Sequence, residues 1–315
     1  MASYLATRLS LALLVAFGVT VVAFAAIQFL PADAVTVMLG TRVQPEVAAA
    51  RRHALGLDQP PVQQYFRWLA RVLRGDLGES LRNEEPVMAM LRQRLPVTME
   101  LALLATLIAI AIGIPAGIIA AVRQYSIADQ VSTGAAMIGL AVPDFWLGTL
   151  LILVFSVTWR LLPPGGLLPS LFEDPVGNLS RMAMPALSIG LPSAATYFRM
   201  MRSCMLEEIR SEYVVTAYSK GLGELRVVLV HALRNALIPV VTVIGLGLAW
   251  MLGGSFIIET IFSLPGLGQA TIHAIYQRDF TVLQGCLLVY SLAVVGASLA
   301  VDLIYAALDP RIRYD

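Results

Sequence analysis

The sequence predicts an all-α integral membrane protein with six transmembrane helices, and three observations carry that class. Of the 315 residues, 58% are hydrophobic and only 14% are charged, against about 25% charged in a soluble domain; mean hydropathy is +0.76. Apolar runs such as Leu9 to Leu30 and Val97 to Val122 reach the length of about 20 residues that a bilayer crossing needs. The basic residues are also gathered, as cytoplasmic loops gather them. Arg199, Arg202, Arg210, Lys220, Arg226 and Arg234 fall on one stretch, which holds the only lysine of the chain. The net charge of +1 decides nothing.

Taken in order, the first span is the run from Leu9 to Leu30, preceded by Arg8 and closed by Pro31. Ala23 and Ala25 have the spacing of a signal-peptide cleavage site, but the apolar core of a cleaved signal is only about 7–15 residues, so a retained span is expected. From Pro31 to Leu95 the chain is polar and punctuated, which predicts short helices outside the bilayer. One runs from about Pro45 to Leu55; another starts near Pro60, is capped by Asp58, buries Tyr65, Trp68, Leu69 and Val72, and stops at Gly75. Arg51, Arg52, Arg67, Arg71, Arg74, Arg92 and Arg94 lie here, but the charge rule weakens for loops beyond about 60 residues.

Pro96 is expected to open the second span, Val97 to Val122, in which Gly113, Pro115 and Gly117 predict a bend or a close helix contact. The third span, Val131 to Thr158, carries Pro143 and Asp144 near its middle. An acid at that depth is costly and marks a candidate functional position; the structural alternative is a carboxylate that caps groups freed by the proline. Leu161 to Asn178 is too rich in Pro and Gly for a helix and reads as an external loop. A fourth span, Met182 to Met201, has Pro185 in its first turn and a kink at Pro192. The fifth, Ala236 to Ile258, holds Gly245, Gly247, Gly253 and Gly254 for close helix approach. Glu259 to Gly285 is then an external re-entrant turn on Pro265 and Gly266, and the sixth span, Cys286 to Leu308, ends in a basic tail with Arg311 and Arg313. The division is thus a first helix over 1–30, an external segment over 31–96, a five-span core over 97–308, and a tail over 309–315, with both termini cytoplasmic.

Glu207 to Pro239 is the polar interruption of the core. Leu206, Ile209, Tyr213 and Ala217 recur at spacings of three and four, an apolar stripe on one helix. Gly221 and Gly223 break that helix, and Leu222, Leu225, Leu229, Ala232 and Ala236 resume the stripe on a second. This cytoplasmic loop, about 204–236, is either a connector or a rigid knob for a partner.

Catalytic constellations are missing from the pattern. His53, His231 and His273 lie on separate segments, Cys204 and Cys286 have neither CxxC nor paired-ligand spacing, and no metal site is expected. No GxGxxG opens a nucleotide fold, and Lys220-Gly221 lacks the upstream glycine of a phosphate-binding loop. The chain is therefore not expected to be an enzyme or to bind ATP, and active transport would draw on a partner or an ion gradient. An ion-coupled carrier needs intramembrane charged groups, and Asp144 is the one convincing mid-span acid; no internal repeat is evident.

The run EYVVTAYSKGLGELRVVLVHALRNALIPVVT, from Glu212, resembles the cytoplasmic loop of binding-protein-dependent ABC importer permeases. That family has a Leu-Pro pair where this chain has Leu233-Arg234, with the proline delayed to Pro239, a departure shared with the dipeptide and oligopeptide branch. LGLDQPPVQQYFRWLARVLRGDLGESL at Leu55, RLPVTMELALLA at Arg94, PDFWLGTLLILVFSV at Pro143, ETIFSLPGLGQ at Glu259 and LIYAALDPRIR at Leu303 are similar to the same branch, so the resemblance spans the chain. It implies a type I importer (MetI-like) permease fold in a bacterial inner membrane. It also implies a second homologous permease, two cytoplasmic ATPases that use ATP and Mg, and an external solute-binding protein. Glu212, Thr216, Ala217 and Gly221 would stand at the loop positions that dock the ATPase; Asp144, from its mid-span position and not from the resemblance, is the candidate for the substrate pathway. Dipeptides or oligopeptides are the expected cargo, with glutathione and nickel chelates as the alternatives.

Overall fold

Long apolar runs fold as helices because a chain without water must satisfy its backbone groups internally, and every regular element among the described residues is helical. The computed structural model describes residues 2–28, 46, 53 and 58–308. The elements are α1 (Ala2–Gln28), α2 (Pro61–Val72), α3 (Val87–Val122), α4 (Ile127–Ala141), α5 (Asp144–Thr158) and α6 (Pro175–Ile209). They continue as α7 (Glu212–Ser219), α8 (Glu224–Gly254), α9 (Phe256–Ile261), α10 (Leu267–Gln277) and α11 (Phe280–Leu308). The tail after Leu308 and, apart from Glu46 and His53, the helix expected from Pro45 to Leu55 lie outside the described residues.

Among the described residues, four helices are long and apolar enough to cross a membrane: α1, α3, α8 and α11. A fifth span results if α4 and α5, bent by 100° at their junction, are taken together. The third span is therefore not the straight helix expected, because Pro143 cannot continue α4 and instead precedes the first turn of α5. The expected fourth span is α6, which does not meet the same criterion. Its 35 residues run well beyond Met182 to Met201 and include Arg181, Arg199 and Arg202. α6 packs against α3, α4, α5 and α8, so protein covers it and lipid-facing apolarity is not needed all round.

The α3–α6 pair makes the most extensive contact in the molecule. A Cβ on Gly117 would lie 2.8 Å from Met201 Cβ and 2.9 Å from the Phe198 carbonyl, and one on Gly190 would lie 2.9 Å from the Ala105 carbonyl. These glycines let the two backbones approach, which is the close contact expected of Gly117. Gly245 and Gly247 of α8 similarly receive Val301 and Tyr197, whereas Gly253 faces open space.

Further boundaries differ from the sequence expectations: α11 starts at Phe280 and not at Cys286, and α6 starts at Pro175, inside the loop expected to run to Asn178. Pro96 does not open α3; it lies inside the helix, which starts at Val87. Asp58 does not cap α2, whose N-cap is Pro60; its carboxylate meets His53 Nδ1 at 2.6 Å instead. Tyr65 and Trp68 of α2 are buried as expected, against Phe24 of α1 and beside Leu77, Val87 and Leu91. The α9–α10 turn packs inward on Phe262, Leu264 and Leu267, all fully buried.

Candidate functional site

The candidate site is α7 and its two joints. α6 ends at Ile209, and Arg210 and Ser211 break the chain direction, with the Ser211 hydroxyl donating to the Glu208 carbonyl at 2.6 Å. The predicted stripe from Leu206 to Ala217 therefore belongs to two helices. α7 then runs for eight residues and closes on a left-handed residue, Gly221, with φ of +78°. The Leu222 amide donates to the Ala217 carbonyl at 3.4 Å and the Gly221 amide to Tyr218 at 2.9 Å. This pair is the Schellman closure, which places glycine where a Cβ would be strained. Gly223 is extended at φ of −67° and acts as the N-cap of the next helix, so only one of the two predicted glycines makes the corner.

Beyond the corner no separate second helix forms. α8 runs unbroken from Glu224 to Gly254, with a π-helical stretch over Val227–Ala232, so the loop continues straight into the fifth span. Val214 and Ala217 face inward against Met201, Met205, Val227, Val228 and Ala232. Ala217, with 7% exposure, thus packs within the chain and offers little surface to a partner. Glu212, Thr216 and Gly221 are exposed, beside Val215, Tyr218 and Leu225. The Thr216 hydroxyl turns back to the Glu212 carbonyl at 2.9 Å.

Tyr213 holds this helix in place, although the sequence reading put it on the buried stripe. Its hydroxyl donates to the Glu208 carboxylate of α6, accepts from Asn235 Nδ2 at 2.9 Å, and lies 3.4 Å from the His231 carbonyl. Burial, and then the adjacent Glu208 carboxylate, push its phenol above the ordinary range, which keeps the proton on it. A second tie lies alongside. Arg202 of α6 forks onto Asp129, with Nε to Oδ1 at 2.7 Å and Nη2 to Oδ2 at 2.9 Å, and Asp129 also accepts from the Tyr125 amide at 2.9 Å. Arg210 Nη2 reaches Gln124 Oε1 at 3.1 Å. The α3–α4 turn, the end of α6, α7 and the start of α8 are thereby joined in one hydrogen-bonded cluster.

Asp144 stands apart from this cluster. It is the first residue of α5, half-buried, on a cavity of about 510 Å³ shared with Trp250, Gly253 and Phe256 at the far end of α8. Its Oδ1 accepts from the Phe145 amide at 2.9 Å, the capping role weighed as its structural alternative. Other acids also stand on the spanning helices: Glu100 is half-buried on α3, and Asp302 of α11 pairs with Arg8 of α1 at 3.2 Å. Glu259 is fully buried and takes Thr98 Oγ1 at 2.8 Å, Ser255 Oγ at 3.0 Å and the Gln269 amide at 3.1 Å. Its carboxylate fastens the start of α10 to α3. A lone acid before a Pro-Gly turn was the sequence signal for it. Among the described residues no cluster of His, Cys, Asp or Glu could hold a metal.

The family model of the binding-protein-dependent transport system inner membrane component matches residues 113–314, and the model of its N-terminal region matches residues 1–102. The chain belongs to this permease family. The dipeptide transport system permease protein DppB of Escherichia coli K12 is 39% identical to it, over all of this chain and 99% of that protein. The di/tripeptide permease DppB of Pseudomonas aeruginosa UCBPP-PA14 is 40% identical over the same shares. A chain from the structure of inward-facing conformations of the MetNI methionine ABC transporter superposes with a TM-score of 0.57 at 20% identity, covering 70% of this permease and 97% of that chain. The type I importer fold expected from the resemblance is therefore the fold of this permease.

Proposed function

We propose that this permease carries peptides across a bacterial inner membrane as one of two membrane subunits of an ATP-driven importer. Two cytoplasmic ATPases bind α7, and an external solute-binding protein delivers the cargo. Both termini face the cytoplasm. Dipeptides and tripeptides are the cargo named for the relatives, and they are the class assigned to this chain. ATP and Mg act in the partner subunits, since the chain has no phosphate-binding loop.

The observation that carries this reading is the exposed, eight-residue α7, closed by the left-handed Gly221 and fixed by Tyr213 to the helices on either side. An element that passes ATPase closure to the spans must move as a rigid body, and α7 is short, tied at both ends and open on one face. Glu212, Thr216 and Gly221 meet the ATPase; Ala217 serves from the inner side, where its small size lets α7 sit close to α6 and α8. Asp144 lines the route at the α4–α5 bend. Gly221→Val forces a β-branched residue into the left-handed region, at a cost of roughly 1–3 kcal/mol. Uptake by membranes carrying this variant and its ATPases should be abolished, and ATPase co-purification should fall while membrane insertion persists. Transport at the unsubstituted rate would refute the coupling role. Asp144→Asn and Asp144→Ala should each slow uptake at unchanged protein level, and unaltered uptake would remove Asp144 from the route.

A further inference from the structure

At the end of α3 opposite α7, a cavity of about 330 Å³ opens between the 80–83 segment, the first turns of α3, and α10. We propose that this cavity binds a ligand carboxylate, the free carboxyl end of a short peptide. Its volume falls within the range of about 300–1,000 Å³ typical of small-molecule sites.

The charge balance points to an anion. Arg82, Arg94 and His273 line the cavity, and the single acid on its wall is Asp279. That carboxylate is already committed: the Ser80 hydroxyl donates to it, and the Leu81 and Val282 amides reach Oδ1 at 3.2 Å each. Among the ion pairs of the described residues, neither Arg82 nor Arg94 has a carboxylate partner. Arg82 uses Nε on the Gln277 carbonyl at 2.8 Å, and half-buried Arg94 makes only a long contact, 3.5 Å, from Nη1 to the Gly266 carbonyl. Each guanidinium has five N–H donors in a planar fork, so most remain unspent. A planar carboxylate accepts such forks through two parallel bonds.

The rest of the wall favours a peptide over a bare anion. Gln269 and Gln277 offer amide donors and acceptors for a peptide group, whereas Asn83 already donates Nδ2 to Glu85 Oε2 at 2.9 Å; Met90 and Ala270 give an apolar floor for a side chain. The scaffold is fixed: α10 stops on Arg278 at φ of +56°, and the Asp279 amide bonds the Ala274 carbonyl at 2.8 Å. With α7 on the cytoplasmic side, the cavity lies on the side from which peptide arrives. The identity of the ligand rests on the peptide-importer reading; the existence of an anion site does not.

The test is titration calorimetry on the full chain in lipid nanodiscs, without ATP or ATPase, using Ala-Ala, N-acetyl-Ala-Ala and Ala-Ala amide. Both free acids should bind saturably, and the amide, Arg82→Gln and Arg94→Gln should each weaken binding by about tenfold or more, as loss of a charge-assisted hydrogen bond does. Arg94→Lys should recover part of the loss. Should Arg94→Gln elute as aggregate, the exposed Arg82→Gln carries the test alone. The proposal is overturned if the amide binds as tightly as the acids, if sulfate displaces Ala-Ala at equal concentration, or if no saturable heat is seen up to about 10 mM, where binding free energy is only a few kcal/mol. Because binding is read without transport, absence of ATP-driven uptake would refute the importer reading and leave this result standing.

Discussion

The hydroxyl of Tyr213 touches both helices that flank α7, through Glu208 on one side and Asn235 on the other. Tyr213→Phe keeps the ring and removes only these bonds, worth roughly 0.5–1.5 kcal/mol. In proteoliposomes with the ATPases, the ATP hydrolysed per peptide imported should rise several-fold while ATPase binding is retained. A ratio equal to that of the unsubstituted complex would show that the hydroxyl is not part of the transmission. The Arg202–Asp129 fork makes a different prediction. Asp129 is 4% exposed but Arg202 is 26% exposed and Asp129 keeps the Tyr125 amide, so Arg202→Ala should destabilise by less than the about 3–5 kcal/mol of a fully buried pair. Adding Asp129→Ala should return part of that loss. Thermal unfolding of the two single variants and the double variant measures this, and strictly additive losses would contradict the pairing.

At the scale of elements, the α3–α6 crossing depends on glycine. Gly117→Ala puts a Cβ 2.8 Å from Met201 Cβ and 2.9 Å from the Phe198 carbonyl, an overpacking that costs about 1–3 kcal/mol. Gly134→Ala on α4 meets nothing within 4 Å and should leave unfolding unchanged or raise its midpoint; equal losses in both variants would contradict the packing account. The same elements show how far the sequence could be read. α1, α2 and α11 were legible because apolar length or periodicity coincides with a punctuating residue at one end. α6 was underestimated because its arginines and buried Asn178 and Ser188 look polar until the neighbouring helices are known to cover them. Pro96 was misplaced because a proline is equally compatible with a helix start and with an interior position whose lost bond is tolerated. The stripe from Leu206 to Ala217 kept its three-four register across the break at Arg210 and Ser211, and periodicity alone cannot reveal a hinge that preserves phase. Gly221 was readable at once, since a glycine before a renewed stripe is the signature of a left-handed helix end. Tyr213 was not, because its role depends on Glu208 and Asn235, which only the fold brings to it.

Across the whole molecule, α3 sets the geometry. Its 36 residues, rising about 1.5 Å each, extend about 54 Å, so α7 and the basic cavity lie at opposite ends of one bundle. The proposed docking helix at one end and the proposed anion cavity at the other suit a chain that takes its cargo on one side and its driving force on the other. The most direct measurement of that account is uptake of labelled Ala-Ala into proteoliposomes holding this permease with its partner permease and ATPases, with the solute-binding protein outside. The account predicts uptake that needs ATP, the ATPases and the binding protein together, and that is lost with Gly221→Val. Uptake by this chain alone, driven by an ion gradient in the absence of ATP, would contradict it.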